Sequence, residues 1–278
     1  MQNLGNYRWS SAHAHLIEQN DELIKVNPLL KQQTVLLVGG TGQTGRRVLQ
    51  QLLSRGMSVR VIVRSAQKLP SGTAENPNLT AVEGDLLSLG NEELQRYIRG
   101  CDAVISCLGH VISFKGVFGQ PRDLVARATT RLCRGIEALQ PAKPIKFILM
   151  SSVSVNHPGG FDTRRRMFEK AVVSILRRLV PPAEDNQQAA NFLYDSIGMT
   201  SPFVQWVVVR PDTLLEGDVS EYKLHTGLVS SLFAPDSTNM ANVAHFMGEL
   251  SANPKAWDAW KGKLPVIINA ATSKRWLK

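Results

Sequence analysis

The stretch from Thr34 to Ser65, TVLLVGGTGQTGRRVLQQLLSRGMSVRVIVRS, restricts the fold more than any other part of the chain. A short apolar, β-branched run ends in glycines. In the segment that follows, Val48, Leu49, Leu52 and Leu53 recur on one helical face, Gly56 supplies the stop, and SVRVIV opens a second strand-like run. Gly39, Gly42 and Gly45 stand between strand and helix in the spacing GxxGxxG. Such a unit needs a tight turn, close approach of main chain to a ligand, and close packing of helix on strand, and a Cβ obstructs all three. The amides at the helix N-terminus then form an anion site suited to the pyrophosphate of a dinucleotide. Gly39, Thr41, Gly42, Gln43, Thr44 and Gly45 are the candidate cradle.

The end of the second strand selects between nucleotides. An NAD site places Asp or Glu there to accept from the ribose hydroxyls. This chain has Arg64 instead, with Lys68 shortly after it and Arg46 just past the glycine turn. Guanidinium groups pair bidentately with phosphate, so these cations point to the 2′-phosphate of NADP. With no ligand in view, the same residues also read as solvated surface cations.

Beyond this unit, LTAVEGDL, DAVISCLG and IKFILMSSV read as further strands, with NEELQRYIRG and DLVARATTRLCRGIEALQ as helices between them. The second of these helices points Leu124, Ala128, Leu132 and Ile136 inward. Strands alternating with helices over short turns predict an α/β fold, a Rossmann-type doubly wound parallel sheet covered on both faces. Residues 1–33 precede the first strand as an expected helical extension; residues 34–278 form the nucleotide-binding domain, with a small substrate region in about 153–278. There TRRRMFEKAVVSILRRLV reads as an amphipathic helix ended by Pro181 and Pro182. EDNQQAANFLYDSIG and NMANVAHFMGELS follow as helices, and QWVVVRPDTL and LPVIINA as strands.

Composition narrows the function classes. No apolar run reaches the roughly 18 residues that span a bilayer. The N-terminus has no signal-peptide core and carries Glu18, Asp21 and Glu22. Three cysteines, an odd count without metal-ligand spacing, fit a reducing cytoplasm and predict no metal site. The net charge of +9 is partly local, in the basic helix 163–180 and the C-terminal tail. No aromatic residues interleave with these cations, so specific nucleic-acid binding is not expected. The basic helix reads as a core-facing helix with a solvated side or as a surface for an acidic partner, an anionic substrate or a membrane.

GGTGQTG, VRVIVRSAQKL, EGDLL, CDAVISCLG, ILMSSVSV and VVVRPDTL, in that order, resemble the atypical short-chain dehydrogenase/reductases of the NmrA-like and biliverdin reductase B/flavin reductase branch. The resemblance covers roughly residues 34–250. It implies the strand order 3-2-1-4-5-6 and NADP lying across the carboxyl ends of the strands. It also implies adenine contacts from Asp85 and Leu86, and a lining for the adenosine and nicotinamide ribose from Cys107, Leu108 and Gly109. Ser151 and Ser152 stand where the family has its active-site hydroxyl, though two serines at a strand end also serve simply to cap it.

Standard short-chain dehydrogenases place a Tyr one helical turn ahead of a Lys, which lowers the phenol pKa for proton exchange with a carbonyl. None of Tyr7, Tyr97, Tyr194 and Tyr222 has that partner; Lys170 has Arg166 in the Tyr position. In PPAEDNQQAAN, where the family often carries Lys or His and a Glu, this chain has Asn186, Gln187, Ala190 and Asn191. Asp185 and Asn186 read as helix N-cap residues or, alternatively, as a hydrogen-bonding wall of the substrate pocket. Asp212 replaces a common Gly and is a candidate polar wall. His110 reads as a satisfied loop histidine or as a proton donor beside the nicotinamide, and the loop 112–123, with Phe114 and Phe118, is a candidate lid. The expected function is NADPH-dependent reduction of a small conjugated or aromatic acceptor of flavin, quinone or enone type. The alternative is a non-catalytic NADP(H)-binding sensor or assembly protein.

Overall fold

The structure, a computed structural model, describes residues 7–8, 32–109, 122–160, 181–230 and 234–270. Its frame is a set of six parallel strands: β1 (Thr34–Val38), β2 (Ser58–Val63), β3 (Leu79–Glu83), β4 (Ala103–Ser106), β5 (Ile145–Met150) and β6 (Val204–Pro211). They lie in the spatial order 3-2-1-4-5-6, as the sequence resemblance implies. The central strands are continuous runs of Val, Ile and Leu because both faces are covered. Leu36, Leu37, Val104, Ile105, Ile148 and Leu149 have no exposed surface. The Asp102 carboxylate accepts from the Thr34 N–H at 2.9 Å and pins the start of β1 to that of β4.

The sheet continues past β6. The later strands are β7 (Thr213–Leu215), β8 (Tyr222–His225), β9 (Ser237–Asn239) and β10 (Val266–Asn269). Of these, β10 pairs parallel to β6, β8 runs antiparallel to β10, and Tyr7–Arg8 adds a two-residue antiparallel edge on β8. β7 and β9 form a separate parallel pair at the carboxyl edge. The helical stretch expected within residues 1–33 lies outside the described residues, apart from this short strand.

Helices cover both faces. α1 (Gln43–Ser54), α5 (Met240–Ala252) and α6 (Pro254–Trp260) pack on one side, where Val48, Leu49, Leu52, Val243, Met247 and Trp257 join one apolar cluster. α2 (Asn91–Ile98), α3 (Leu124–Leu139) and α4 (Pro181–Asn191) build a second cluster on the other side, with Leu94, Ile98, Leu132, Ile136 and Ala189. Each fully buried Leu or Val contributes about 1.5–3 kcal/mol. In α3 the inward stripe begins at Val125; Leu124, expected to point inward, is half-buried at the helix start. α1 ends in a paired Schellman motif: the Gly56 N–H donates to the Leu53 carbonyl and the Met57 N–H to that of Leu52, with Gly56 at φ +68°.

The largest departure from the sequence reading concerns α4. Pro181 and Pro182 open the described part of α4, which was expected to begin at Glu184; the basic helix 163–180 that they were expected to end is outside the described residues. Asp185 does cap a helix, but not its own. Its carboxylate accepts from the N–H groups of Val125 and Ala126, both at 2.8 Å, and so satisfies the first turn of α3 from a different element. Local patterning cannot show a cap supplied across tertiary space. α4 continues into a π-helical turn, Phe192–Ile197, closed by Gly198 at φ +70°.

Asp185→Ala leaves two inward-facing amides without an acceptor and should destabilise the chain by about 2–4 kcal/mol in urea denaturation. Asp185→Asn, which keeps one acceptor oxygen, should lose less. A midpoint for Asp185→Ala unchanged from the wild type would contradict the cross-element cap.

Candidate cofactor and substrate cleft

The glycine turn lies at the carboxyl end of β1, and its crowding explains the residue type. Gly39 sits at φ +80°, and a Cβ there would meet the Cys107 carbonyl carbon at 2.5 Å. A Cβ on Gly45 would fall 2.0 Å from the Gly39 carbonyl oxygen. Gly42 is the N-cap of α1; it has no side-chain cap, and no acidic residue occupies the first turn. The Gly42 N–H donates to the Gly39 carbonyl at 3.0 Å, and helical bonding begins with the Arg46 N–H on the Gly42 carbonyl at 2.9 Å. The amides of Gln43, Thr44 and Gly45 therefore have no intrahelical acceptor and combine with the positive end of the helix dipole. Thr41 is half-buried and Gln43 exposed beside them, while Thr44 is buried. This cradle fits a pyrophosphate: a Cβ is excluded where the ligand's anchor must pack, and no carboxylate competes for the helix end.

Arg64 follows β2 directly and, like Arg46 and Lys68, is exposed. None of the three is bonded to a carboxylate among the described residues. Arg47 contrasts with them: its guanidinium donates to the Gln43 carbonyl at 2.7 Å and pairs with the Glu216 carboxylate. Glu83, at the end of the neighbouring β3, turns its carboxylate to the Ala66 N–H at 2.6 Å. Asp85 forms an Asx turn, accepting from the Leu87 N–H at 2.9 Å, and Leu86 beside it is buried. Cys107 lines the floor of the glycine turn through its main chain. Burial pushes its thiol up to about 12. Leu108 is half-buried and Gly109 exposed; His110 and residues 112–121 of the candidate lid lie outside the described residues.

At the carboxyl end of β5 the two serines separate in character. Ser151 points into the α3 side, 6% exposed, and its hydroxyl has no partner among the described residues. The Ser152 hydroxyl is half-buried and lies 2.6 Å from that of Ser154. Ser154 was missed by the sequence reading; a turn that follows the strand end brings its hydroxyl to that of Ser152. α4 brings Gln187 to this loop, where it bonds the main chain of Asn156, with half-buried Asn186 beside it. Asp212, just past β6, is buried. Its carboxylate accepts from the Thr213 N–H at 2.7 Å, the Asp236 N–H at 3.1 Å and the Ser230 hydroxyl. It thus holds the loops beyond β6 together and has little capacity left for a ligand. Burial, and then the nearby Asp212 carboxylate, raise the Asp236 carboxyl above its ordinary value.

Tyr97, Tyr194 and Tyr222 each have contacts elsewhere in the fold. Tyr97 donates to Glu93 at 2.9 Å, Tyr222 lies 3.0 Å from His245 Nδ1 in the core, and Tyr194 stacks edge-on against His157 and Trp206. Among the described residues no Tyr hydroxyl bonds a Lys, and no group of His, Cys, Asp and Glu could hold a metal ion. No described helix is long and apolar enough to cross a membrane.

A family model described as NAD(P)H-binding matches residues 39–254, and the chain belongs to that family. An uncharacterized chloroplastic protein of Arabidopsis thaliana is 35% identical over 129 residues, covering 46% of this chain and 44% of its own length. Protein TIC 62, chloroplastic, of the same plant is 24% identical over 244 residues, covering 81% of this chain and 34% of its own length. The chain thus spans less than half of either relative. Among solved structures, ChuY, an anaerobillin reductase from Escherichia coli O157:H7, superposes with a TM-score of 0.61 at 18% identity, covering 87% of this chain and 100% of that one. At that identity the likeness establishes the fold alone.

Two outcomes follow. Gly45→Ala should abolish NADP(H) binding in calorimetry, because the helix must move off the Gly39 carbonyl; binding at wild-type affinity would contradict the cradle. Cys101, held up at about 11, Cys107 and Cys133 are buried thiols, so iodoacetamide at about pH 8 should label them only after unfolding. Prompt labelling of Cys107 in the native protein would show that the floor of the glycine turn opens.

Proposed function

We propose that this chain is an NADPH-dependent reductase acting on a small conjugated or aromatic acceptor of flavin, quinone or enone type. The observation that carries the cofactor half is the exposed Arg64 at the end of β2, beside the uncapped N-terminus of α1 and with no carboxylate partner among the described residues. In this reading Gln43, Thr44 and Gly45 present amides to the pyrophosphate. Arg64, Arg46 and Lys68 grip the 2′-phosphate, and Asp85 and Leu86 flank the adenine. Cys107, Leu108 and Gly109 run beneath the ribose. NADPH supplies a hydride when bound; the acceptor supplies an electron-poor ring or double bond. Ser152, backed by the Ser154 hydroxyl, orients the acceptor by donating to its polar edge. With no Tyr–Lys couple, alcohol oxidation by the standard route is not expected, whereas an acceptor activated by its own conjugation needs little acid catalysis. Three free buried cysteines fit a reducing compartment, the cytoplasm in our reading.

A second reading, a non-catalytic NADP(H) sensor or assembly protein, has one observation in its favour. Asp185 and Gln187, on the helix where the family often carries its acid–base residues, are both spent on holding main chain in place. In that case the basic segment 163–180 is the candidate surface for an acidic partner.

Two measurements separate these readings. NADPH oxidation against a panel of flavins, quinones and enals should show turnover with at least one acceptor; tight NADPH binding with none supports the sensor. Arg64→Ala should weaken NADPH by on the order of 10- to 100-fold while changing NADH little, since a charge-assisted phosphate contact is removed. Equal losses for both nucleotides would remove the phosphate assignment.

A further inference from the structure

The loop that leaves β5 is held at successive points. The Ser151 N–H donates to the Val209 carbonyl at 2.8 Å and the Val153 N–H to that of Pro211 at 3.1 Å, extending the ladder with β6 past the strand end. The Val155 N–H closes a turn on the Ser152 carbonyl at 3.1 Å. The Val155 carbonyl accepts from the guanidinium of Arg210, fully buried in β6, at 3.0 Å. Asn156 is then gripped at both of its main-chain groups by one side chain. Its N–H donates to Gln187 Oε1 at 2.9 Å, and its carbonyl accepts from Gln187 Nε2 at 3.1 Å. Gln187 Nε2 also donates to Asn191 Oδ1 at 2.9 Å, one turn further along the helix, and this sets which way the amide faces.

We infer that Gln187 is a positioning residue for Ser152, its side-chain amide clasping the Asn156 peptide and so fixing the loop that presents the Ser152 hydroxyl to the cleft. Only an amide offers a donor and an acceptor side by side at neutral pH, the match for an N–H and a C=O of one residue; Lys only donates, and a carboxylate only accepts. Gln187 is itself buried, so either half left unmatched would be penalised. With the clasp made, the Ser152 hydroxyl is located before any acceptor arrives, and no reorganisation is needed at the moment of reaction. The effect on turnover rests on the reductase reading above; the clasp itself does not.

The test uses Gln187→Ala and Gln187→Glu in the full chain. It reads steady-state NADPH oxidation across pH, NADPH affinity, and hydrogen exchange at the Val155 and Asn156 amides. A protonated carboxyl reproduces the donor–acceptor pair. Once ionised it keeps only acceptors and faces the Asn156 carbonyl and Asn191 Oδ1. Burial among carbonyl oxygens holds the carboxyl of Gln187→Glu above the ordinary Glu value of about 4.3. Its activity is therefore present below that raised pKa and lost as pH rises through it. Asp185 on α4, His157 on the loop and the Arg210 guanidinium on the Val155 carbonyl are the titratable and charged neighbours, common to both proteins, so the difference between the two profiles is the reading.

Gln187→Ala should lower kcat on the order of 10- to 100-fold with NADPH affinity within about three-fold of wild type, and speed exchange at Val155 and Asn156. Gln187→Glu should recover wild-type kcat at the acid end only. An unchanged kcat in Gln187→Ala, or a Gln187→Glu profile parallel to wild type, overturns the inference. Should Gln187→Ala fail to fold, the nearly isosteric Gln187→Glu carries the test alone. If the wild type turns over no acceptor, the reductase reading falls and exchange decides the clasp: unchanged protection in Gln187→Ala then overturns it.

Discussion

Helix α1 sits on its turn so closely that no side chain fits between Gly45 and the Gly39 carbonyl. The rest of the cleft follows from that contact. It brings the first-turn amides to the carboxyl edge of β1 and holds the Gly39 main chain against that of Cys107, which locks the ends of β1 and β4 together. The anion site is thus made by packing, before any charged side chain is counted. Arg46, Arg64 and Lys68 are exposed nearby, where long cationic side chains stay solvated without strain.

The opposite wall depends on α4. This helix supplies the cap of α3 through Asp185 and the clasp on the serine loop through Gln187, two buried side chains that leave it on nearly opposite sides. Polar side chains in a helix of low amphipathicity would otherwise be poor material for a core. They are stable here because each meets unsatisfied main chain: the orphan amides at a helix start in one case and an open peptide in the other. Asp185 and Gln187 are thus both engaged in holding neighbouring main chain in place.

Much of the frame was legible along the chain. The β-branched runs, the helical stripe Val48–Leu49–Leu52–Leu53 and the stop at Gly56 are local signals, and each element formed where its pattern placed it. The glycine spacing carried the cradle because its steric demand falls on a few consecutive residues. Less was legible at the substrate side. Asp185 was readable as a cap but not as a cap for α3, since its partners, Val125 and Ala126, are distant in sequence. Asp212 was readable as polar but not as the hub joining Thr213, Ser230 and Asp236. Ser154 was visible in SSVSV and was overlooked in favour of its neighbours.

The amino-acid sequence by itself determined the order of strands and helices, the nucleotide-binding turn and the cationic end of β2, because periodicity, glycine and charge act over a few residues. Only the tertiary structure decided which buried polar groups meet. The extension of the sheet through β10 and β8, the cross-element cap by Asp185 and the grip of Gln187 on Asn156 join residues far apart in the chain. A hydrogen bond depends on ångström-scale alignment of donor and acceptor, and that alignment exists only once both faces of the sheet have packed.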